Sequence, residues 1–168
     1  MAAAIKQDEA VPASYPTGGQ DAIWQRIEAY IAHRWTERVV VWTVEGPGEW
    51  EPPLTPAIFT TSEVWNGAEW EAIEAPGAPL GGFWLSGEGP YRFTASVGSG
   101  TPPANVLEAV ARLAAYLADD TTAPAGARSF SVDIPGVQST SVDRDPRWVA
   151  KALQLSGAAD LLRNYRRV

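Results

Sequence analysis

Apolar positions along the chain change period twice, from helical spacing to alternation and back. Ile23, Trp24, Ile27, Tyr30 and Ile31 recur at intervals of three and four, which puts them on one face of a helix. The pattern predicts a helix capped at Asp21 and ending near Trp35 or Thr36. Arg38 to Glu45 (RVVVWTVE) is rich in β-branched residues and predicts a strand stopped by Gly46-Pro47-Gly48. Ile58 to Trp65 and Ala68 to Ile73 flank Asn66-Gly67, a pair suited to a type I′ hairpin turn. Phe83 to Leu85 and Tyr91 to Val97 read as two further strands. In the second, Tyr91, Phe93, Ala95 and Val97 alternate with Arg92, Thr94 and Ser96, so one side packs inward.

Helical spacing returns after Thr101-Pro102-Pro103, where threonine can cap and proline fits the first turn. Val106, Leu107, Val110, Leu113, Ala114 and Leu117 form the stripe of this second helix. Thr121 to Val142 is rich in Ser, Thr, Gly and Pro and reads as a long loop, with Ser129 to Ile134 as a possible strand. Asp145-Pro146 opens a third helix bearing Trp148, Val149, Ala152 and Leu153, closed by Gly157. A last short helix carries Leu161, Leu162 and Tyr165. The expected fold class is α+β: helices packed together, an inserted antiparallel β block (a small sheet or sandwich), and a C-terminal helical tail. The expected organisation is an extended N-terminal arm over 1–20 and a single domain over 21–156. Within that domain the β insertion occupies about 38–97 and the long loop 121–142. A tail over 157–168 follows.

Composition narrows the chemistry. The chain has 168 residues with eight Trp, one Met, one His and no Cys. Disulfides, thiolate nucleophiles and cysteine-based metal sites are therefore excluded, and a two-histidine metal site cannot form within one chain. Any Ser–His–acid arrangement would have to use His33, which lies off the apolar stripe. Gly81-Gly82 and Gly87-Glu88-Gly89-Pro90 do not match a nucleotide-binding fingerprint. Glu69 and Glu71 alternate outward around Trp70, as an exposed strand face requires. The residues thus point away from an enzyme, and no cofactor or metal is expected. No secretory signal opens the chain, and no stretch approaches the roughly 20 apolar residues of a membrane span.

Charge is unevenly placed within the net −7. Between Val39 and Tyr91 there is no Lys or Arg but there are eight glutamates, whereas Arg144, Arg147, Lys151, Arg163, Arg166 and Arg167 outnumber the acids from Asp143 onward. An acidic body with a basic tail implies two different partners, or a tail that meets the body of a neighbouring copy. The acidic total argues against nucleic-acid affinity. Trp42, Trp50, Trp65, Trp70 and Trp84 fall in or beside the β block. They fill a core or subunit interface, or alternatively form the platform of a carbohydrate-binding module.

Three stretches resemble the head–tail connector (adaptor) proteins of tailed phages and phage-like gene transfer agents: IEAYIAHRWTERVVVWTVEG, PPLTPAIFTTSEVWNGAEW and the ending LLRNYRRV. The helix VLEAVARLAAYLADD fits the same pattern. The resemblance implies a structural subunit of a homo-oligomeric ring, typically of twelve copies, beneath the portal protein of a virion or phage-like particle. Such a ring joins the head to a tail-side neck or stopper protein, continues the DNA channel without sequence-specific binding, and is assembled in the bacterial cytoplasm. It also implies that the C-terminus docks on the portal, through Leu161, Leu162, Arg163, Tyr165, Arg166, Arg167 and Val168. Leucines and a tyrosine would anchor that tail, while arginines bind carboxylates or carbonyls of the partner. On this expectation, removal of residues 158–168 leaves a folded monomer.

Overall fold

The structure is a computed structural model that describes residues 2–79, 81–118, 129–132, 140–143 and 147–166, with backbone only at 129–132 and 140–143. Its frame follows from alternation in strands β2 (Arg38–Glu45) and β7 (Tyr91–Val97). These pair antiparallel, and their inward side chains, Val40, Trp42, Val44, Phe93, Ala95 and Val97, are buried together. Strand β4 (Ala57–Trp65) lies on the other side of β7, with a register shift between Phe59 and Thr61, and β5 (Trp70–Ala72) closes that edge. The opposite edge is β1 (Ala3–Glu9), so the sheet has five antiparallel strands in the order β1-β2-β7-β4-β5. A ribbon of β3 (Gly48–Trp50) and β6 (Phe83–Leu85) supplies Trp50 and Leu85 to the inner face. Trp50 stacks on Phe93 at 4.6 Å between ring centroids, and Phe83 on Phe93 at 4.8 Å. A second ribbon joins β8 (Ser129–Val132) to β9 (Thr140–Asp143).

Among the described residues helices are few and mostly short. α1 (Asp21–Glu28) has 8 residues, α2 (Ala104–Ala118) has 15, and α3 (Ala152–Leu155) and α4 (Ala158–Leu161) have 4 each, followed by a 3₁₀ turn at Arg163–Tyr165. They enclose a second core of Trp24, Ile27, Ile31, Trp35, Val106, Ala109, Val110, Leu113, Ala152, Ala158 and Leu162. The molecule is therefore mainly antiparallel sheet. This corrects the expected α+β arrangement of packed helices with a β insertion and a helical tail. Over its described residues the tail amounts to the single-turn α4 and a 3₁₀ turn folded back on α2, where Asn105 Nδ2 donates to the Leu161 carbonyl at 3.1 Å. No helix among the described residues is long and apolar enough to cross a membrane.

Local departures have local causes. α1 stops at Glu28 because the backbone beyond it pairs elsewhere: Arg34 N–H donates to Thr55 O at 2.8 Å and Thr55 N–H to Ala32 O at 3.0 Å. Ile31 and Trp35 keep their burial but lie in this loop. Asp21 is the first helical residue and Gln20 occupies the cap position, with no side-chain cap bond. The connection after β4 is a four-residue loop, not the two-residue turn expected. A type I′ turn needs positive φ at both central residues, and only Gly67 (φ 102°) has it. Asn66 Oδ1 instead accepts from the N–H groups of Ala68 and Glu69, both at 3.0 Å. The start of the expected third helix at Asp145-Pro146, and most of the loop over 121–142, lie outside the described residues.

Candidate functional site

The residues expected to dock on a partner are used first within the chain. Leu162 is fully buried in the helical core, and Leu161 is partly buried against it. The Tyr165 ring meets Trp35 edge-on at 5.3 Å, and its carbonyl accepts from Ala32 N–H at 3.1 Å. The Arg166 guanidinium lies 4.6 Å from the centroid of Tyr30, a cation–π contact, while remaining exposed. Arg163 is exposed and pairs with Asp160 at 2.6 Å. Arg167 and Val168 lie outside the described residues. Arg163 and Arg166 are thus the described basic residues that the tail presents to solvent. Removal of residues 158–168 would take Ala158 and Leu162 out of the core, so the expectation of a folded truncated monomer does not survive.

His33 packs between Trp35, at 4.6 Å, and Tyr165, at 5.7 Å. Burial, and then the neighbouring Arg34 charge, lower its pKa from the ordinary 6.5. The folded protein therefore binds this proton more weakly than the unfolded chain does. The contribution to stability is complete above about 6.5 and declines as pH falls through the folded pKa. Urea midpoints measured from pH 7.5 down to 5 are expected to fall in wild type and to flatten in His33→Gln. An unchanged slope in that variant would assign the acid loss to other groups.

A buried ion network was not foreseen from the sequence. Arg38 donates to both oxygens of Glu28, at 2.6 and 2.8 Å, and to Glu9 at 3.0 Å; Arg34 reaches Glu9 at 2.7 Å. The Arg38 and Glu28 side chains are 3% and 5% exposed. The network joins the end of β1, the end of α1 and the start of β2, so it ties the helices to the sheet. Burial would raise the Glu9 carboxyl, but hydrogen bonds and charges from Arg34 and Arg38 outweigh it and hold the pKa below 4.5. A cleft of about 270 Å³ opens beside these groups, with Tyr15 and Gln25 on its wall. Its two arginines are already satisfied by carboxylates, so the chemistry here is structural. The only sequence signal is Arg34 and Arg38 at the boundary where helical spacing gives way to alternation.

The tryptophans divide between core and surface. Trp42 and Trp50 are core residues. Trp70 carries Arg92 over its ring at 4.4 Å, and Arg92 in turn makes a bidentate pair with Glu63 at 2.7 and 2.9 Å. Trp65 and Trp84 remain 38% and 49% exposed. Glu69 and Glu71 are exposed beside the β4–β5 loop. On the open side of the sheet Val39 and Ile58 are exposed, each opposite Ser96 of β7. Among the described residues no group of three or more His, Cys, Asp or Glu could hold a metal ion. No protein-family model, curated protein or solved structure matches the chain.

Proposed function

We propose that the chain is a non-enzymatic head–tail connector subunit, forming a ring beneath the portal of a phage or phage-like particle. The reading rests on the likeness of the three quoted stretches, and the placement of exposed apolar side chains is compatible with it. Val39 and Ile58 lie on the open sheet face, Trp65 and Trp84 towards one end of the strands, and Val149 and Leu155 among the helices. Apolar side chains scattered over a surface are ordinary, so this placement is compatible with several protein neighbours without requiring them. The likeness of the three quoted stretches supplies the identity of those neighbours: further copies, a portal protein and a tail-side neck protein. The expected fold lends no support, since the molecule is mainly sheet.

The tail's part in this reading is narrower than its sequence implied. Leu162 belongs to the core, which leaves Arg163 and Arg166, with the partly buried Leu161 and Tyr165, to face a portal. Charge reversal tests this without removing the core. Arg163→Glu/Arg166→Glu is expected to keep the wild-type unfolding free energy in urea to within about 1 kcal/mol, because both side chains are exposed. It is expected to weaken co-purification with the portal protein at least tenfold. Undiminished capture would remove the tail from the docking site.

The carbohydrate-binding reading has Trp65 and Trp84 in its favour. Stacking platforms need open ring faces, and Trp42, Trp50 and Trp70 do not offer them. A glycan array that quenches tryptophan fluorescence on binding would favour that alternative.

A further inference from the structure

Strand direction sorts the surface of this molecule by charge. β2 and β4 begin beside the helices, at Arg38 and Ala57, and run away to Glu45 and Trp65; β7 starts at the far end with Tyr91 and returns to Val97. An eight-residue strand spans roughly 25 Å, so the two ends are well separated. At the far end Val64, Ile73, Trp84 and Tyr91 line an apolar groove of about 340 Å³, with the exposed Glu74 on its wall. The groove belongs to the stretch from Val39 to Tyr91, whose eight glutamates include Glu63, paired with Arg92 just beyond it.

The helical end presents the complementary chemistry. Val149 and Leu155 are exposed there, in a segment that also carries the exposed Arg147 and Lys151. Arg26 donates to the Val149 carbonyl and adds another cation beside it. From 147 to 166 four basic residues face a single acid, Asp160. An apolar groove with an acidic setting and an apolar edge with a basic setting therefore sit at opposite ends of one chain. Neither can reach the other within a molecule.

We propose that copies associate head to tail, with the Trp84 groove of one receiving the Val149–Leu155 edge of the next. Such a contact is heterologous, so repetition builds an open chain or a closed ring instead of a symmetric dimer. Charge complementarity sets the order and orientation of the copies, and the apolar groove supplies the desolvated centre. This deepens the connector reading, on which it rests, by naming the contact that would propagate the ring.

The absence of cysteine makes a direct test possible, because any disulfide must come from introduced residues. Glu74→Cys and Val149→Cys replace exposed side chains. Mild oxidation of a mixture of the two single variants is expected to give their heterodimer, while neither variant alone dimerises. The double variant is expected to give a ladder of multimers that shortens at high salt. Homodimers of Glu74→Cys, or no bond in the mixture, would overturn the interface. Portal capture without the mixed bond would remove this interface and leave the connector reading. The mixed bond without portal capture would retain the interface and remove the connector reading.

Discussion

Replacing Trp42 with alanine is expected to destabilise the protein by about 3–5 kcal/mol, the range for a buried aromatic cut back to a methyl group. Trp42 is fully buried and lies at the centre of the sheet's inner face. Its ring meets Trp50 edge-on at 5.7 Å and Phe59 at 6.0 Å, so the cavity would open among large rings that cannot readily close in. The indole N–H also donates to Gln7 Oε1 at 2.8 Å, a bond that fastens edge strand β1 across 35 positions of sequence. Trp42→Phe retains much of the volume and loses that bond, so it separates the two contributions. It is expected to cost less than the alanine variant and to raise hydrogen exchange selectively in Ala3–Glu9. An unfolding free energy of Trp42→Ala in urea within about 1 kcal/mol of wild type would contradict the placement of this residue.

Glu28→Ala is expected to cost a similar amount, about 3–5 kcal/mol, for a different reason. The Arg38 side chain is 3% exposed in the intact protein, and removal of this carboxylate leaves Glu9 as its remaining carboxylate partner. A buried charge stripped of its bidentate partner carries an uncompensated desolvation penalty. Replacing both members, as Glu28→Leu with Arg38→Met, removes the charge as well and is expected to recover much of the loss. Thermal unfolding of the two variants decides the point. If the double variant were no better than Glu28→Ala, the loss would lie in packing and not in an unpaired charge.

How much of this was legible in the sequence depended on where each element found its partners. β2, β6 and β7 have the predicted bounds because alternation with a buried face states its own register. β1 was invisible: AAIKQDE has no apolar alternation, and its place is set by Gln7 on Trp42 and Glu9 on the two arginines. Polar and charged residues suit an edge strand, so the sequence there resembles a loop. Periodicity also overran the end of α1. Ile31 and Trp35 obey the helical spacing and are buried, but backbone pairing with Thr55 bends the chain. The tail shows the same limit for a site. Its leucines and tyrosine mark apolar surface, but spacing could not say whether the covering surface belonged to this chain or to a partner. For Leu162 and Tyr165 the described contacts are internal.

On the proposed reading this chain occupies the neck of a particle, and imaging particles made without it tests that most directly. Electron microscopy of a lysate from a strain lacking the gene should show DNA-filled heads without tails, with tailed particles restored by the wild-type chain. A complemented, tagged copy should label the portal vertex. Normally tailed particles in the deletion strain, without label at the neck in the tagged one, would contradict the account.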